Sequence, residues 1–537
     1  MPDKMAAPEL FRPSVDFPDV PYDRLLRMAA ERNPSRPAII FHDLMLTYHE
    51  IVSMVNSIAN GLHELGIRKG DRICLCTGNR PEYAITINAA ATLGAVVSPM
   101  NPLYKEREIA YQLENSEAKA ILILRESLPL FQRVMSQESL PHLKHVIVMG
   151  EHVPEDMPNA MPFAQLLRRS SPKRPEPVEI SGDDLMVLSY SSGTTGLPKG
   201  TMLTHRNVTT NHLQFLTASG ISSSDATLIF LPSYHIYGVM LTGSFLAAGA
   251  LQVIMERFEM EQALDLCEKQ GVTWFFAVPP IISALANAHG DLHQMKTVKY
   301  LMSAAAPMPI EPARKLQERI GVRVVQAYGM TETSPITHLS PLDPRVMRID
   351  SPGLLVHNTE QKIVDVEAGE HELPIGEDGE IIIRGPQVMS GYWKAPEETA
   401  RALRDGWLYT GDIGHVDADG YTYIVDRKKE MIKYKGFSVA PAELEELLVE
   451  HPAVLDSAVI GVPDEEAGEI PKAFVVLRPG HSVTTAELIT FVNGKLAGYK
   501  KLYEVEFSDA IPRNPSGKIL RRELKDRERA RRAGKQA

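Results

Sequence analysis

The residues best suited to chemistry stand in one run, Tyr190-Ser-Ser-Gly-Thr-Thr-Gly-Leu-Pro-Lys-Gly200. Two serines, two threonines, three glycines and a lysine fall within eleven residues, just after the apolar segment Leu185 to Leu188. Such a loop offers backbone N–H groups, hydroxyls and one cation, which is the donor set that phosphate oxygens need. Flexible surface turns share this composition, and composition alone leaves both readings open. Several other chemistries are excluded by absence. No two of the 36 glycines are separated by a single residue, so no dinucleotide-binding G-x-G-x-x-G exists. Gly193 is followed five places on by Pro198, so the loop is not a Walker A motif. No glycine pair encloses a serine as G-x-S-x-G, and His49-Glu50, His63-Glu64 and His371-Glu372 all lack a zincin's second histidine.

The elements around the loop alternate between helical and strand patterns. Thr47-Tyr-His-Glu50 has capping-box spacing and opens an amphipathic stretch that runs to Gly66. Ile73 to Cys76, Ala95 to Ser98, Ala120 to Leu124 and His145 to Met149 read as short buried strands, with a helix over Ala84 to Leu93. This alternation predicts parallel sheets faced by helices, an α/β fold. Ser170 to Asp184 is rich in proline and polar residues and predicts a linker or surface loop. A second α/β region spans Leu185 to Leu339, and short strands with glycine turns between Ile363 and Asp426 predict a β-rich subdomain. A compact α+β unit follows, in which Pro441 opens a helix that stops before Pro452. Residues Gly517 to Ala537 carry nine Lys/Arg against three acids, which predicts a solvated basic tail.

Composition sets the outer bounds. The 537 residues hold 57 Lys+Arg and 68 Asp+Glu, a net charge of −11, and a nucleic-acid partner is not expected of an acidic chain. Cys74, Cys76 and Cys267 cannot form a disulfide framework or a four-ligand zinc site, which points to a reducing compartment. The N-terminus lacks the apolar core of a signal peptide, and the run Ala84 to Met100 is too interrupted to span a bilayer. A cytoplasmic protein without an integral membrane segment is expected, as monomer or homodimer.

The loop resembles the signature of the adenylate-forming superfamily: acyl-CoA synthetases, firefly-type luciferases and peptide-synthetase adenylation domains. Six further motifs follow in that family's order over nearly the whole chain. They are Leu231-Pro-Ser-Tyr-His-Ile-Tyr-Gly238, Ser303-Ala-Ala-Ala-Pro307, Gln326-Ala-Tyr-Gly-Met-Thr-Glu-Thr333, Tyr409-Thr-Gly-Asp-Ile-Gly414, Ile424-Val-Asp-Arg-Lys-Lys429 and Asn514-Pro-Ser-Gly-Lys518. The resemblance implies a large N-terminal domain over residues 1–428, holding two α/β sheet subdomains and the β-rich subdomain. A small mobile α+β domain over 429–537 is implied to turn about a hinge at Lys429. It also implies two half-reactions: a carboxylate attacks the α-phosphorus of ATP to give acyl-adenylate and pyrophosphate, then a thiol displaces AMP.

Site residues follow from the same resemblance. Ser191, Ser192, Gly193, Thr194, Thr195, Gly196 and Lys199 would hold the β- and γ-phosphates, Thr331 the α-phosphate, and Glu332 the magnesium ion. Asp412 and Arg427 would hold the ribose, with Gln326, Tyr328 and Ile424 beside the nucleotide. Ala304, Ala305, Ala306 and Pro307 would wall the adenine, and Ala304 stands where many relatives have glycine. Lys518 would bridge the substrate carboxylate and α-phosphate; without the motif it would read as an exposed lysine. After rotation Lys433, Lys435, Gly436 and Phe437 would help form the pantetheine tunnel for coenzyme A.

The acyl pocket is expected from Tyr234, His235, Tyr237, Gly238, Leu241, Met302, Ala304, Gly329, Met330, Pro335 and Ile336. Amino-acid-activating relatives carry an acid where His235 stands, and a substrate ammonium without that partner would be costly to bury. Acetate-specific relatives carry Trp where this chain has Gly329, which implies an acid larger than acetate. The stretch Tyr434-Lys-Gly-Phe-Ser-Val-Ala-Pro441 resembles 4-coumarate:CoA ligases and fatty-acyl relatives. Leu241, however, replaces a polar residue associated with the phenolic hydroxyl, and Ser438 stands where glutamine is usual. Medium- or long-chain fatty acids or arylalkanoic acids are therefore expected, with hydroxycinnamates, a carrier-loading ligase and a non-catalytic nucleotide-binding relative as alternatives.

Overall fold

The computed structural model describes residues 12–536 except 151, 154–156, 158, 192–197, 291, 436, 465–466, 497–499 and 515–516. Local signals start the helices as the sequence predicts. Thr47 Oγ1 accepts from the Glu50 amide at 3.3 Å, while Glu50 accepts from the Thr47 amide at 2.7 Å. That reciprocal cap opens the helix Tyr48–Glu64. A second cap, Thr204 with Asn207, opens the helix His205–Ser219, and Gly220 in the left-handed region closes it.

Among the described residues, two mixed sheets form the body of the N-terminal domain. An eight-stranded sheet is built from parallel strands such as Arg72–Cys76, Val96–Pro99 and Ala118–Leu124, with the antiparallel hairpin Leu185–Ser191 and Lys199–Thr204 towards one edge. A nine-stranded sheet carries Trp274–Ala277, Tyr300–Ser303 and Arg323–Gly329 in parallel. The helix Ile236–Ala248 packs into a shared core, buried on nearly every side, beside Phe215, Phe245 and Phe276. A five-stranded β subdomain follows, and then a small domain with its own five-stranded sheet and core. The large α/β domain, β subdomain and small α+β domain match the predicted class. No helix among the described residues is long and apolar enough to cross a membrane.

Two features add to the sequence reading and one differs from it. The strand Pro37–Phe41 leaves the N-terminal region to pair with Leu251–Ile254 of the nine-stranded sheet, Ile39 opposite Gln252. The segment between Arg169 and Leu185 has neither helix nor strand, but it is strapped down: Asn60 donates to the carbonyls of Ser171 and Lys173, both at 2.8 Å. The expected basic tail is instead a helix, Arg521–Gln536, docked on the strand Val454–Asp464. Its Glu528, 3 % exposed, meets Lys472, 2 % exposed, at 2.6 Å, and also pairs with Arg531 and Arg532. Lys472 reaches Glu506 at 2.6 Å as well, so the buried ammonium has two carboxylates. Charge count alone hides this, because the buried side of the helix is itself charged.

Candidate active site

The phosphate-loop candidate caps the hairpin Leu185–Ser191/Lys199–Thr204, in which Ser191 pairs with Lys199. Residues Ser192, Gly193, Thr194, Thr195 and Gly196 lie outside the described residues. The hairpin's base is held from the side: Tyr190 donates to Asn115 at 2.6 Å, and Tyr111 donates to the Pro198 carbonyl at 3.0 Å. The short strand Gly391–Tyr392 pairs with the same hairpin, Tyr392 opposite Thr201. Lys199 therefore sits over the Tyr392 ring, 5.5 Å from its centroid, and 3.8 Å from Glu398.

Tyr392 connects this lysine to Glu332. Its hydroxyl donates to Glu332 Oε1 at 2.8 Å, and the Glu332 carbonyl accepts from the Met389 amide at 2.8 Å. Thr331 and Glu332 lie in a single turn, Thr331–Thr333, directly after the strand Arg323–Gly329, with Thr331, Glu332 and Met330 all half-buried. Tyr392 is not among the residues that the sequence singles out. Its approach depends on a strand pairing between positions nearly two hundred residues apart, and no local pattern carries that.

The expected nucleoside end is built across two antiparallel strands, Trp407–Val416 and Thr422–Arg427, whose register sets Asp412 opposite Arg427. Asp412 is 4 % exposed. One of its oxygens meets Arg427 Nε at 3.0 Å and the other accepts from the Tyr328 hydroxyl at 2.6 Å. Asp412 raises the Arg427 pKa, while burial and then Asp412 push the Tyr328 phenol well above its ordinary value. Each carboxylate oxygen keeps a further lone pair for a diol. Gln326 spends a side-chain N–H on the Ile349 carbonyl at 2.6 Å, and Ile424 is half-buried on the same strand as Arg427. Ala304 to Pro307 follow the strand Tyr300–Ser303, with Ala305 held at φ 76°, a left-handed conformation uncommon outside functional turns.

Lys518 reaches this centre from the small domain. Its loop is pinned at both ends: Arg513 meets Asp456 at 2.8 Å and donates to the Gly517 carbonyl at 2.8 Å, while the Lys518 amide donates to Asn514 at 2.8 Å. Gly517 lies so near Val278 and Pro280 of the large domain that an added Cβ would stand 3.2 Å from Val278. Burial, then Arg427, draws the Lys518 ammonium down to about 8. Burial and then Arg427 lower the Lys429 ammonium to about 8 as well. Lys433 and Lys435 are exposed, and their amides bond to Glu469 and to the Ala467 carbonyl within the small domain. Gly436 lies outside the described residues.

The expected acyl wall is largely interior. Tyr237, Leu241, Met302 and Ile336 are buried, and Tyr234 and His235 are half-buried. His235 caps the helix Ile236–Ala248 by accepting from the Tyr237 amide at 3.3 Å, and burial with the nearby Lys518 holds its pKa at about 4. Gly238 is forced by the Pro232 carbonyl, which an added Cβ would meet at 2.2 Å. At Gly329 an added Cβ would stand 1.9 Å from the Pro335 carbonyl. That glycine is required by the chain's own close approach, so it does not by itself report the size of the acid. The Tyr237 hydroxyl is buried with no hydrogen-bond partner among the described residues.

Comparison with known proteins identifies the family. A family model described as AMP-binding enzyme matches residues 26–393, and one described as AMP-binding enzyme C-terminal domain matches residues 443–518. The chain is 39 % identical to 4-coumarate-CoA ligase 1 of Narcissus pseudonarcissus over 92 % of this chain and 91 % of that one. It is 38 % identical to 4-coumarate–CoA ligase 3 of Arabidopsis thaliana, covering 98 % and 95 %. Among solved structures, the anthranilate CoA ligase AuaEII in complex with anthranoyl-AMP superposes with a TM-score of 0.90 at 28 % identity, covering 96 % of this chain and 99 % of that one. A fatty acyl CoA synthetase of Mycobacterium tuberculosis superposes with a TM-score of 0.74 at 29 % identity, covering 94 % and 98 %. With both domains matched and its length shared almost end to end, the chain belongs to the AMP-binding, adenylate-forming enzyme family and is an AMP-forming acid–thiol ligase for acyl or aryl acids.

Proposed function

We propose that the chain converts medium- or long-chain fatty acids or arylalkanoic acids to their coenzyme A thioesters through an acyl-adenylate. The observation that carries the substrate reading is Leu241, 1 % exposed, which lies in the same apolar core as the buried Met302 and Ile336. A pocket lined this way gains from burying an apolar tail. It would leave a phenolic hydroxyl without the partner that the polar residue supplies in coumarate ligases. A second reading, a hydroxycinnamate ligase, is favoured by the unpartnered Tyr237 hydroxyl and by the similarity to 4-coumarate ligases.

The division of labour follows from the charges. Adenylation brings a carboxylate anion against a polyanion, so positioning and neutralisation must supply the rate. Lys199 and the loop from Ser191 hold the outer phosphates, Thr331 the α-phosphate, and Lys518 the two oxygens on which charge gathers. Asp412, braced by Arg427 and Tyr328, orients the ribose. Glu332 fits a magnesium ion: it is a half-buried carboxylate linked through Tyr392 to the lysine of the phosphate-loop candidate, and magnesium commonly takes one or two carboxylates with substrate phosphates. That ion would supply charge neutralisation on the phosphates. A domain of residues 1–428 and a mobile one of 429–537, turning at Lys429, would then bring Lys433, Lys435 and Gly436 to the thiol step. Three buried free cysteines suit a cytoplasmic setting.

The test is AMP release with ATP, magnesium and coenzyme A across octanoate, palmitate, phenylacetate, cinnamate, coumarate and acetate. Preference for the apolar acids supports the reading, and preference for coumarate overturns it in favour of the second. Accumulating acyl-adenylate with no thioester would assign the acceptor to a carrier protein.

A further inference from the structure

The large and small domains meet at a buried charged contact that touches no expected substrate. Asp426, 8 % exposed, lies near the end of the strand Thr422–Arg427 of the large domain. One of its oxygens accepts from the Arg427 amide at 2.6 Å. The other accepts from the Ala442 amide at 3.0 Å, so it caps the first turn of the small-domain helix Pro441–Glu450 from outside that domain. The same helix carries Glu445, which takes Arg521 at 2.7 Å on each oxygen and also accepts from the Val459 amide at 2.7 Å. Arg521 begins the helix that follows the Lys518 loop. Its guanidinium acts on Asp426 as well as on Glu445, so one cation serves a carboxylate from each domain.

We propose that Asp426 is a positioning residue that latches the small domain in the orientation presenting Lys518 to the adenylation site. This rests on the two-orientation reading above. Asp426 lies three residues before the proposed hinge at Lys429, while Ala442 and Arg521 lie beyond it. Rotation about that hinge separates Asp426 from both, so its bonds count towards one orientation only. A conformational equilibrium moves by the difference in interaction between its two states, and a contact present in one state alone is all difference. A charged acceptor facing a helix-start N–H is among the stronger bonds available.

The experiment reads two half-reactions in each variant: ATP–pyrophosphate exchange, and thioester formation from supplied acyl-adenylate. Asp426→Ala should lower exchange about tenfold while thioester formation holds or rises. Asp426→Asn, which keeps an acceptor for the Ala442 amide, should recover part of the loss. A merely structural residue would lower both rates together, and equal losses in a folded Asp426→Ala protein would overturn the proposal. Deuterium exchange at residues 440–446 gives a readout independent of any acid: faster exchange in Asp426→Ala supports the latch, and unchanged exchange overturns it. If the wild-type protein shows neither half-reaction with any acid or thiol, the functional reading fails, while the exchange measurement still decides whether Asp426 joins the domains.

Discussion

Tyr392 donates its phenol to Glu332 at 2.8 Å while the face of its ring carries the Lys199 ammonium. One side chain therefore fixes the spacing between the cation at the end of the phosphate-loop candidate and the acid of the motif Gln326–Thr333. Burial and Glu332 both raise the Tyr392 pKa, so the phenol stays protonated and remains a donor. Tyr392→Phe keeps the ring but frees the carboxylate. We expect a loss of about 1 kcal/mol, roughly fivefold in adenylation rate, with a higher magnesium requirement. Pyrophosphate exchange titrated against magnesium checks this, and an unchanged titration would remove Tyr392 from the site.

Lys518→Ala should abolish pyrophosphate exchange, by roughly a hundredfold or more, yet spare thioester formation from supplied acyl-adenylate. The two assays on one purified preparation decide the matter. Equal losses would mean that Lys518 serves both steps.

The pH dependence follows from the same lysine. Its ammonium titrates near 8 in the fold against 10.5 unperturbed, because burial and then Arg427 disfavour the cation. The cationic form is the useful one, so kcat/KM for ATP should fall as pH rises through about 8. Bound phosphates favour the cation, and the fall in kcat should therefore come at higher pH. Stability runs the other way: between about 8 and 10.5 the unfolded chain binds more protons than the folded one, so this group favours folding increasingly as pH rises through that window. His235, at about 4, stays neutral throughout and adds no limb near neutrality. A kcat/KM profile flat to beyond about pH 9 would contradict the burial of Lys518.

Leu241→Asn should lower octanoate turnover by roughly tenfold to two-hundredfold, since it sets an amide among apolar neighbours. Coumarate turnover should fall less or rise. The ratio of the two kcat/KM values is the readout, and an unchanged ratio would take Leu241 out of the acyl wall.

Lys472→Ala should destabilise the small domain by about 2 kcal/mol, because Glu528 loses its buried cation but keeps Arg531 and Arg532. Glu528 is held well below the usual carboxylate range, first by Arg531, against an opposing burial effect. The stability it contributes is full above its unfolded pKa and is lost as pH falls below that. Urea unfolding near neutral pH and near about pH 4 should show the wild-type advantage shrinking in acid.

Much of this architecture is legible locally. Thr47 and Glu50 announce their helix because a capping box needs only four consecutive residues, and short apolar runs such as His145–Met149 announce buried strands. The residues expected at the nucleotide are legible as motifs, since Asp412 and Arg427 each sit in their own short pattern. Tyr392 is not, because the strand that delivers it pairs with a hairpin far away in sequence. The helix Arg521–Gln536 hides for another reason. An apolar stripe is the usual mark of a docked helix, and this one sets the buried Leu524 beside the charged Glu528 and its cations. Gly329 shows the converse hazard: a small residue that suggests an open tunnel is required by a neighbouring carbonyl.

The docked C-terminal helix makes the chain intolerant of an early stop. A truncation just after Lys518 would keep every residue expected to touch ATP, acid or thiol, and would still strand Lys472 inside the small domain with its deepest partner gone. Sequence surveys that judge such a fragment by its motifs would count it as an intact enzyme, whereas its small domain would have lost the helix that neutralises and covers Lys472.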